Sequence, residues 1–261
     1  MDRIARALAP VAAAAALLAG CGGSSAPTPM GGSSSATSKG TVNVFAAASL
    51  QEAFATLGKQ FEAAHPGTRI VFNFGPSSGL AQQITQGSPA DVFASASTKN
   101  MDQVVTAGDS AQPTPFVKNV MEIAVPSANP AGVTSLNDLT RKNVKVALCQ
   151  PQVPCGAAAA ALFQNAGLAV QPVTQEVDVK SVLSKVTLGE VDAGVVYVTD
   201  VRAAGDKVKG IEIPTDVNAS TTYPIATLTK APNKATAQAF TDYVLSVDGG
   251  KVLTAAGFQK P

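Results

Sequence analysis

Apolar residues in this chain recur alternately every two residues and about every 3.6 residues, and that switching most limits what the chain can fold into. The β-rich runs fall at 41–46, 69–74, 91–94, 120–125, 144–148, 173–177, 193–198 and 221–229. After the first, Leu50, Ala53, Phe54, Leu57 and Phe61 recur at helical spacing. Ser49 stands where an N-cap would, and Glu52 three residues on completes a capping-box pattern. Further helices are expected at 80–86, 98–107, 156–166 and 179–188, closed by Gly87, Gly108, Gly167 and Gly189. Two more are expected at 235–245 and near 250–256. Strand and helix in strict alternation imply an α/β fold with mainly parallel sheets. At 261 residues the chain is a little long for one sheet, and no internal sequence repeat is visible, so two similar halves are expected.

Composition removes several functions. Apolar residues make up 46%, which excludes wholesale disorder. The 19 basic and 18 acidic residues leave a net charge of +1, without the basic surface a nucleic-acid binder carries. Trp is absent and aromatics are 5%, which disfavours aromatic-lined grooves for sugars or bases. The single histidine, His65, excludes a two-His metal site and lies in a helix-end context that gives no general base.

The ends of several predicted strands share one chemistry. Ligands of open α/β sheets bind outside the carboxyl ends of the strands. Here those ends are Ala46-Ala47-Ala48-Ser49, Gly75-Pro76-Ser77-Ser78-Gly79, the turn from Cys149 to Gly156, and Glu176-Val177-Asp178-Val179. Each aims a helix N-terminus at the sheet edge. Unpaired N–H groups and the helix dipole make such ends receptive to anions. The plainer reading of each serine is a helix cap, and the pattern does not name an anion.

The N-terminus carries Arg3 and Arg6, then an apolar stretch from Ala7 to Leu18, shorter than the about 20 residues a membrane span needs. It reads as a secretory signal. Leu18-Ala19-Gly20-Cys21 resembles the lipobox of bacterial lipoproteins, which implies cleavage before Cys21 and acylation of that residue. Several acyl chains anchor stably where one does not. Residues 22–40, rich in Gly, Ser, Thr, Ala and Pro, read as a flexible tether. Losing Asp2, Arg3 and Arg6 equalises the two signs of charge, so the lipid would hold the protein to the membrane. Setting Cys21 aside leaves Cys149 and Cys155 around a turn-rich Gln-Pro-Gln-Val-Pro. Three readings stay open: a disulfide, worth roughly 2 kcal/mol in the chain-entropy model, a reactive dithiol, or two free thiols.

Taken in order, Val44-Phe45-Ala46-Ala47-Ala48-Ser49-Leu50, Phe74-Gly75-Pro76-Ser77-Ser78-Gly79-Leu80-Ala81-Gln82-Gln83-Ile84, Gly87-Ser88-Pro89-Ala90-Asp91-Val92-Phe93-Ala94-Ser95-Ala96, Val153-Pro154-Cys155-Gly156 and Gly194-Val195-Val196-Tyr197 resemble the motifs of periplasmic molybdate-binding proteins. The resemblance covers residues 41–261. It implies a two-lobed, type II periplasmic-binding fold, each lobe a mainly parallel sheet flanked by helices. The expected plan is a signal peptide at 1–20, a lipidated Cys21 and tether to 40, lobe I at 41–125 plus 223–261, and lobe II at 126–222. The chain would cross between lobes near Pro126 and Tyr223.

The same resemblance implies a non-enzymatic receptor, exported and lipid-anchored to the outer face of the cell membrane. It would deliver molybdate, and tungstate, to the permease and ATPase subunits of an importer, as a monomer and without a catalytic cofactor. The implied ligand groups are the hydroxyls and N–H groups of Ser49 and Ser77, the N–H groups of Cys155 and Val179, and the hydroxyl of Tyr197. Tyr197 in a Gly-Val-Val-Tyr strand also reads as core packing. Molybdenum would be bound only as its oxyanion. Cys155 departs from the family, where Ala usually follows Pro. Pairing with Cys149 would fix the turn that presents its N–H. Glu52 departs too: its carboxylate is expected to face the Ser49 N–H or solvent, away from a dianion. A receptor for another oxyanion such as sulfate or phosphate, and an exported thiol oxidoreductase using Cys149 and Cys155, are the competing readings.

Overall fold

The computed structural model describes residues 39–110 and 112–261. The expected signal segment, Cys21 and all but the last residues of the tether lie outside the described residues. The first half of the chain gives β1 (Gly40–Ala47), α1 (Gln51–Ala64), β2 (Thr68–Gly75), α2 (Ser77–Thr85), β3 (Val92–Ala94), α3 (Thr98–Thr106) and β4 (Thr114–Pro126). Then come β5 (Val146–Cys149), α4 (Pro154–Ala166), β6 (Thr174–Glu176), α5 (Val179–Thr187), β7 (Ala193–Tyr197) and α6 (Val198–Ala204). The chain closes with β8 (Val208–Glu212), β9 (Ser220–Thr227), α7 (Lys234–Leu245) and α8 (Val247–Ala256). A 3₁₀ turn, Ala48–Leu50, leads directly into α1.

The α/β alternation is the one expected, with three local differences. Helix α2 starts at Ser77 rather than at 80, because Pro76 holds φ at −65° and sets up the first turn. Strand β4 starts at Thr114 rather than at 120, since Thr114–Val120 finds a partner in β9. Strand β8 and helix α6 have no counterpart among the predicted elements. The strand is short and mostly half-exposed, so its apolar alternation is weak.

The strands lie in the order β2-β1-β3-β9-β4-β7-β5-β6, with β8 also paired to β4. The pairs β1–β2, β1–β3, β5–β6 and β5–β7 are parallel. Strands β4 and β9 join these two parallel groups through antiparallel pairing. Along β4, Thr114–Val120 pairs with β9, while Met121–Ala124 pairs with β7 and Glu122–Pro126 with β8. The sheet therefore passes from one half to the other inside a single strand, at Val120–Met121, and residues 121–125 pair with the second half.

Each half has its own core. In the first, Phe54, Phe61 and Phe240 pack edge to face between α1 and α7 on one side of the sheet. Phe45, Leu80, Ile84, Phe93, Met101 and Val104 fill the other side, under α2 and α3. In the second half, Ile123, Val146, Leu162, Val182, Val186 and Val195 form one continuous core. His65 caps α1, with its ring stacked on Phe61 and a ring nitrogen 2.9 Å from the Phe61 carbonyl. It takes no part in any site.

Candidate functional site

The parallel strands end on the same seam, and one small cavity lies there. It is lined by Ala47, Ala48 and Ser49 after β1, Gly75, Pro76 and Ser77 after β2, and Ala96 after β3. From the other half come Val153, Pro154 and Cys155 after β5, Asp178 and Val179 after β6, and Tyr197 at the end of β7. All five sequence-predicted residues, Ser49, Ser77, Cys155, Val179 and Tyr197, meet here. The cavity measures about 20 Å³, on a scale where one water needs roughly 10–15 Å³. That suits a small polyatomic ion. It is far below the several hundred Å³ of sites for drug-sized ligands.

The groups facing the cavity are chiefly donors. Helix α2 makes its first backbone bond from Leu80 N–H to the Pro76 carbonyl. Helix α4 starts with Ala157 N–H to Val153, and α5 with Val182 N–H to Asp178. The N–H groups ahead of these, including those of Ser77, Cys155 and Val179, have no partner within their own helix. Asp178 also lines the cavity, but its carboxylate is engaged as the N-cap of α5, accepting from Ser181 N–H at 2.8 Å.

Two of the three hydroxyls are held by partners within the protein. Ser77 Oγ accepts the Ala96 N–H at 2.9 Å, which leaves the serine proton to be given elsewhere. Ser49 Oγ lies 2.8 Å from the hydroxyl of Tyr223, a buried residue of β9 that does not line the cavity. The Tyr197 hydroxyl is buried and has no hydrogen-bond partner among the described residues. Burial holds its ionisation well above the ordinary tyrosine value, with the neighbouring Tyr223 adding to the effect, so it is a neutral donor near pH 7. A buried orphan hydroxyl aimed at a cavity of neutral donors fits an acceptor-only ligand.

Two local expectations are corrected. Ser49 is not the cap of α1. It sits inside the 3₁₀ turn, and Leu50 holds the cap position without a side-chain bond. Glu52 turns neither to the Ser49 N–H nor simply to solvent. Its carboxylate grips Lys180 Nζ at 2.7 and 2.9 Å, from α1 of one half to α5 of the other. Lys180 also lies 3.0 Å from Asp200, which is fully buried and caps α6 through the Tyr197 N–H at 3.1 Å. Burial pulls the Lys180 ammonium down, but Asp200 and Glu52 outweigh it and hold it above the ordinary lysine value. This triad neutralises the carboxylate that otherwise would repel an anion. Sequence reading missed Lys180, Asp200 and Tyr223, because the pairings Glu52–Lys180, Lys180–Asp200 and Ser49–Tyr223 join different elements of the fold.

Cys149 and Cys155 form a disulfide, with Cα atoms 5.7 Å apart. It closes the turn between β5 and α4, whose far end carries the Cys155 N–H. Gly156 is required beside it: a Cβ there would lie 1.9 Å from the Gln150 carbonyl oxygen.

A fold of this order, with neutral donors gathered between two halves at the strand ends, is that of an extracytoplasmic receptor for a small solute. The chain belongs to the family of bacterial extracellular solute-binding proteins, whose model matches residues 42–259. It is an exported protein, and among the described residues no helix is long and apolar enough to cross a membrane. The molybdate-binding protein ModA of Mycobacterium tuberculosis is 43% identical over 246 residues, covering 94% of this chain and 93% of that protein. ModA of Escherichia coli is 31% identical over 235 residues, covering 84% and 89%. The solved periplasmic molybdate-binding protein of Azotobacter vinelandii superposes with a TM-score of 0.75 at 20% identity, covering 84% of this chain and 99% of that one. That likeness establishes the two-lobed fold.

Proposed function

We propose that this protein captures molybdate, and tungstate of nearly the same size, between its two lobes and delivers it to the membrane subunits of an ATP-driven importer. The observation that carries the reading is the donor-rich cavity, to which both halves of the sheet contribute. Ser49 and Ser77 reach it from one lobe, and Cys155, Val179 and Tyr197 from the other. Molybdate near neutral pH is a dianion that only accepts hydrogen bonds. Monohydrogen phosphate brings a proton that needs an acceptor, and a buried mismatched donor costs on the order of 1–3 kcal/mol. Sulfate has the right charge but shorter bonds, so cavity size must reject it. Because the ligand touches both lobes, binding favours the closed arrangement, and the importer would read that form. Lobe I is read as residues 41–125 plus 223–261 and lobe II as 126–222, with 121–125, although read into lobe I, pairing with strands of the second half. The receptor acts as a monomer with no catalytic cofactor, held to the membrane by lipid on Cys21.

Calorimetric titration with molybdate, repeated in excess sulfate, tests this. One-to-one binding that sulfate does not displace is expected. No molybdate heat and no thermal shift would sink the assigned ligand. The same titration should give nearly constant affinity from about pH 6 to 8, since the donors are amides and hydroxyls. Tyr197 is held neutral by burial, and burial pushes Tyr223 up to about 12. A steep dependence in that window would require an ionisable ligand instead.

The disulfide gives a separate expectation. Reduction, or Cys149→Ser, frees the turn that presents the Cys155 N–H. Molybdate affinity should fall severalfold while the fold persists. Unchanged affinity in the reduced protein would show that helix α4 alone holds that donor in place.

A further inference from the structure

Two serines supply hydroxyls to the cavity, and a serine hydroxyl can either donate or accept. What decides between them is the partner each hydroxyl has within the protein. At Ser77 the acceptor side is taken by the Ala96 N–H. At Ser49 the neighbour is Tyr223, 2.8 Å away, itself able to play either part. Behind Tyr223 stands Asn119, fully buried on β4. The Asn119 carbonyl oxygen accepts the Val120 N–H at 3.1 Å, and its amide nitrogen donates to Thr199 Oγ1 at 2.8 Å. That orients the amide group beside Tyr223, whose ionisation Asn119 lowers as a donor to its oxygen would. With its oxygen so supplied, Tyr223 would give its own proton to Ser49 Oγ, 2.8 Å away. Ser49 then has one proton and only the cavity to give it to.

We propose that Tyr223 is a positioning and specificity-determining residue: by donating to Ser49 Oγ it fixes Ser49 as a donor, so the cavity discriminates against oxyanions that carry a proton. The inference rests on the molybdate reading and adds a residue that does not touch the ligand. Its removal has a particular signature. In Tyr223→Phe the Ser49 oxygen is free to rotate and to accept. Molybdate loses an oriented donor, while a protonated oxyanion of similar size gains an acceptor. Monohydrogen arsenate is the probe for the second property.

The test compares wild type, Tyr223→Phe and Ser49→Ala by calorimetry at pH 7.5, with molybdate and with arsenate, and with thermal unfolding run in parallel. Tyr223→Phe should weaken molybdate about tenfold and lower the molybdate-to-arsenate affinity ratio by tenfold or more. Ser49→Ala should weaken molybdate without lowering that ratio as far, since alanine cannot accept the arsenate proton. A general loosening of the site would weaken both anions together. An unchanged ratio in Tyr223→Phe, with wild type binding molybdate, overturns this inference alone. Failure of wild type to bind molybdate overturns the functional reading and the inference with it. If Tyr223→Phe does not fold, a neutron structure of the wild-type molybdate complex decides. A proton on Tyr223 directed at Ser49 Oγ supports the inference, and a Ser49 proton directed at Tyr223 refutes it.

Discussion

Replacing Lys180 with methionine should lower the unfolding free energy by about 3–5 kcal/mol, the usual cost of stripping the partner from a buried charge. Asp200 has no solvent exposure, and Lys180 is the cation beside it. Burial already pushes the Asp200 carboxyl above its ordinary value, with Lys180 pulling it back. Without Lys180 the carboxyl rises further. A carboxyl whose pKa is raised by folding favours the folded state when protonated, and that contribution is lost as pH rises through the folded value. The deficit of Lys180→Met should therefore be full near neutral pH and shrink as pH falls toward the ordinary carboxylate range. Denaturant melts at several pH values would show it. Glu52→Gln is the control: Glu52 is half-exposed, and its loss should cost under about 1 kcal/mol. Equal effects of the two substitutions would mean that the buried Asp200 does not depend on Lys180.

Gly156→Ala should damage binding and stability together. The three atoms nearest the added Cβ are all backbone: the Gln150 carbonyl oxygen at 1.9 Å, its carbon at 2.5 Å and the Cys149 oxygen at 2.9 Å. Flexible side chains could move aside, but this backbone is tied down by the Cys149–Cys155 bond. Either α4 slides or the turn is pushed outward, and both displace the Cys155 N–H. Molybdate affinity should fall at least tenfold, with a stability loss in the range of 1–3 kcal/mol typical of overpacking. The double change Gly156→Ala with Cys149→Ser should recover part of the stability, because the turn can then give way. A calorimetric titration and a melt on each variant separate the two effects. Wild-type affinity in Gly156→Ala would show that the turn has slack.

The donors around the cavity were legible because each depends on a short stretch of chain. A strand, a small or hydroxylated residue and a helix start follow one another within a few positions at Ser49, Ser77, Cys155 and Val179. Helix geometry then decides where the N–H groups point. What stayed hidden depends on partners far away. Tyr223 bonds a serine 174 residues earlier, and Lys180 reaches a glutamate 128 residues away. Glu52 shows the two levels in conflict. Its spacing from Ser49 fits a capping box, but an ammonium brought across by the fold offers a charge-assisted bond, and the local pattern yields. The handover inside β4 was hidden for another reason. Its residues 114–126 are extended throughout, and nothing in an apolar alternation records which neighbour a strand pairs with on either side.

The bond between Cys149 and Cys155 has a meaning for when the protein works as well as how. Thiols in the reducing bacterial interior are kept apart, so a newly made chain would carry an untied β5–α4 turn until it is exported. If the tied turn sets the affinity as expected, the receptor would ripen only outside the cell. A copy delayed in the cytoplasm would then compete poorly for the very ions its exported siblings bring in.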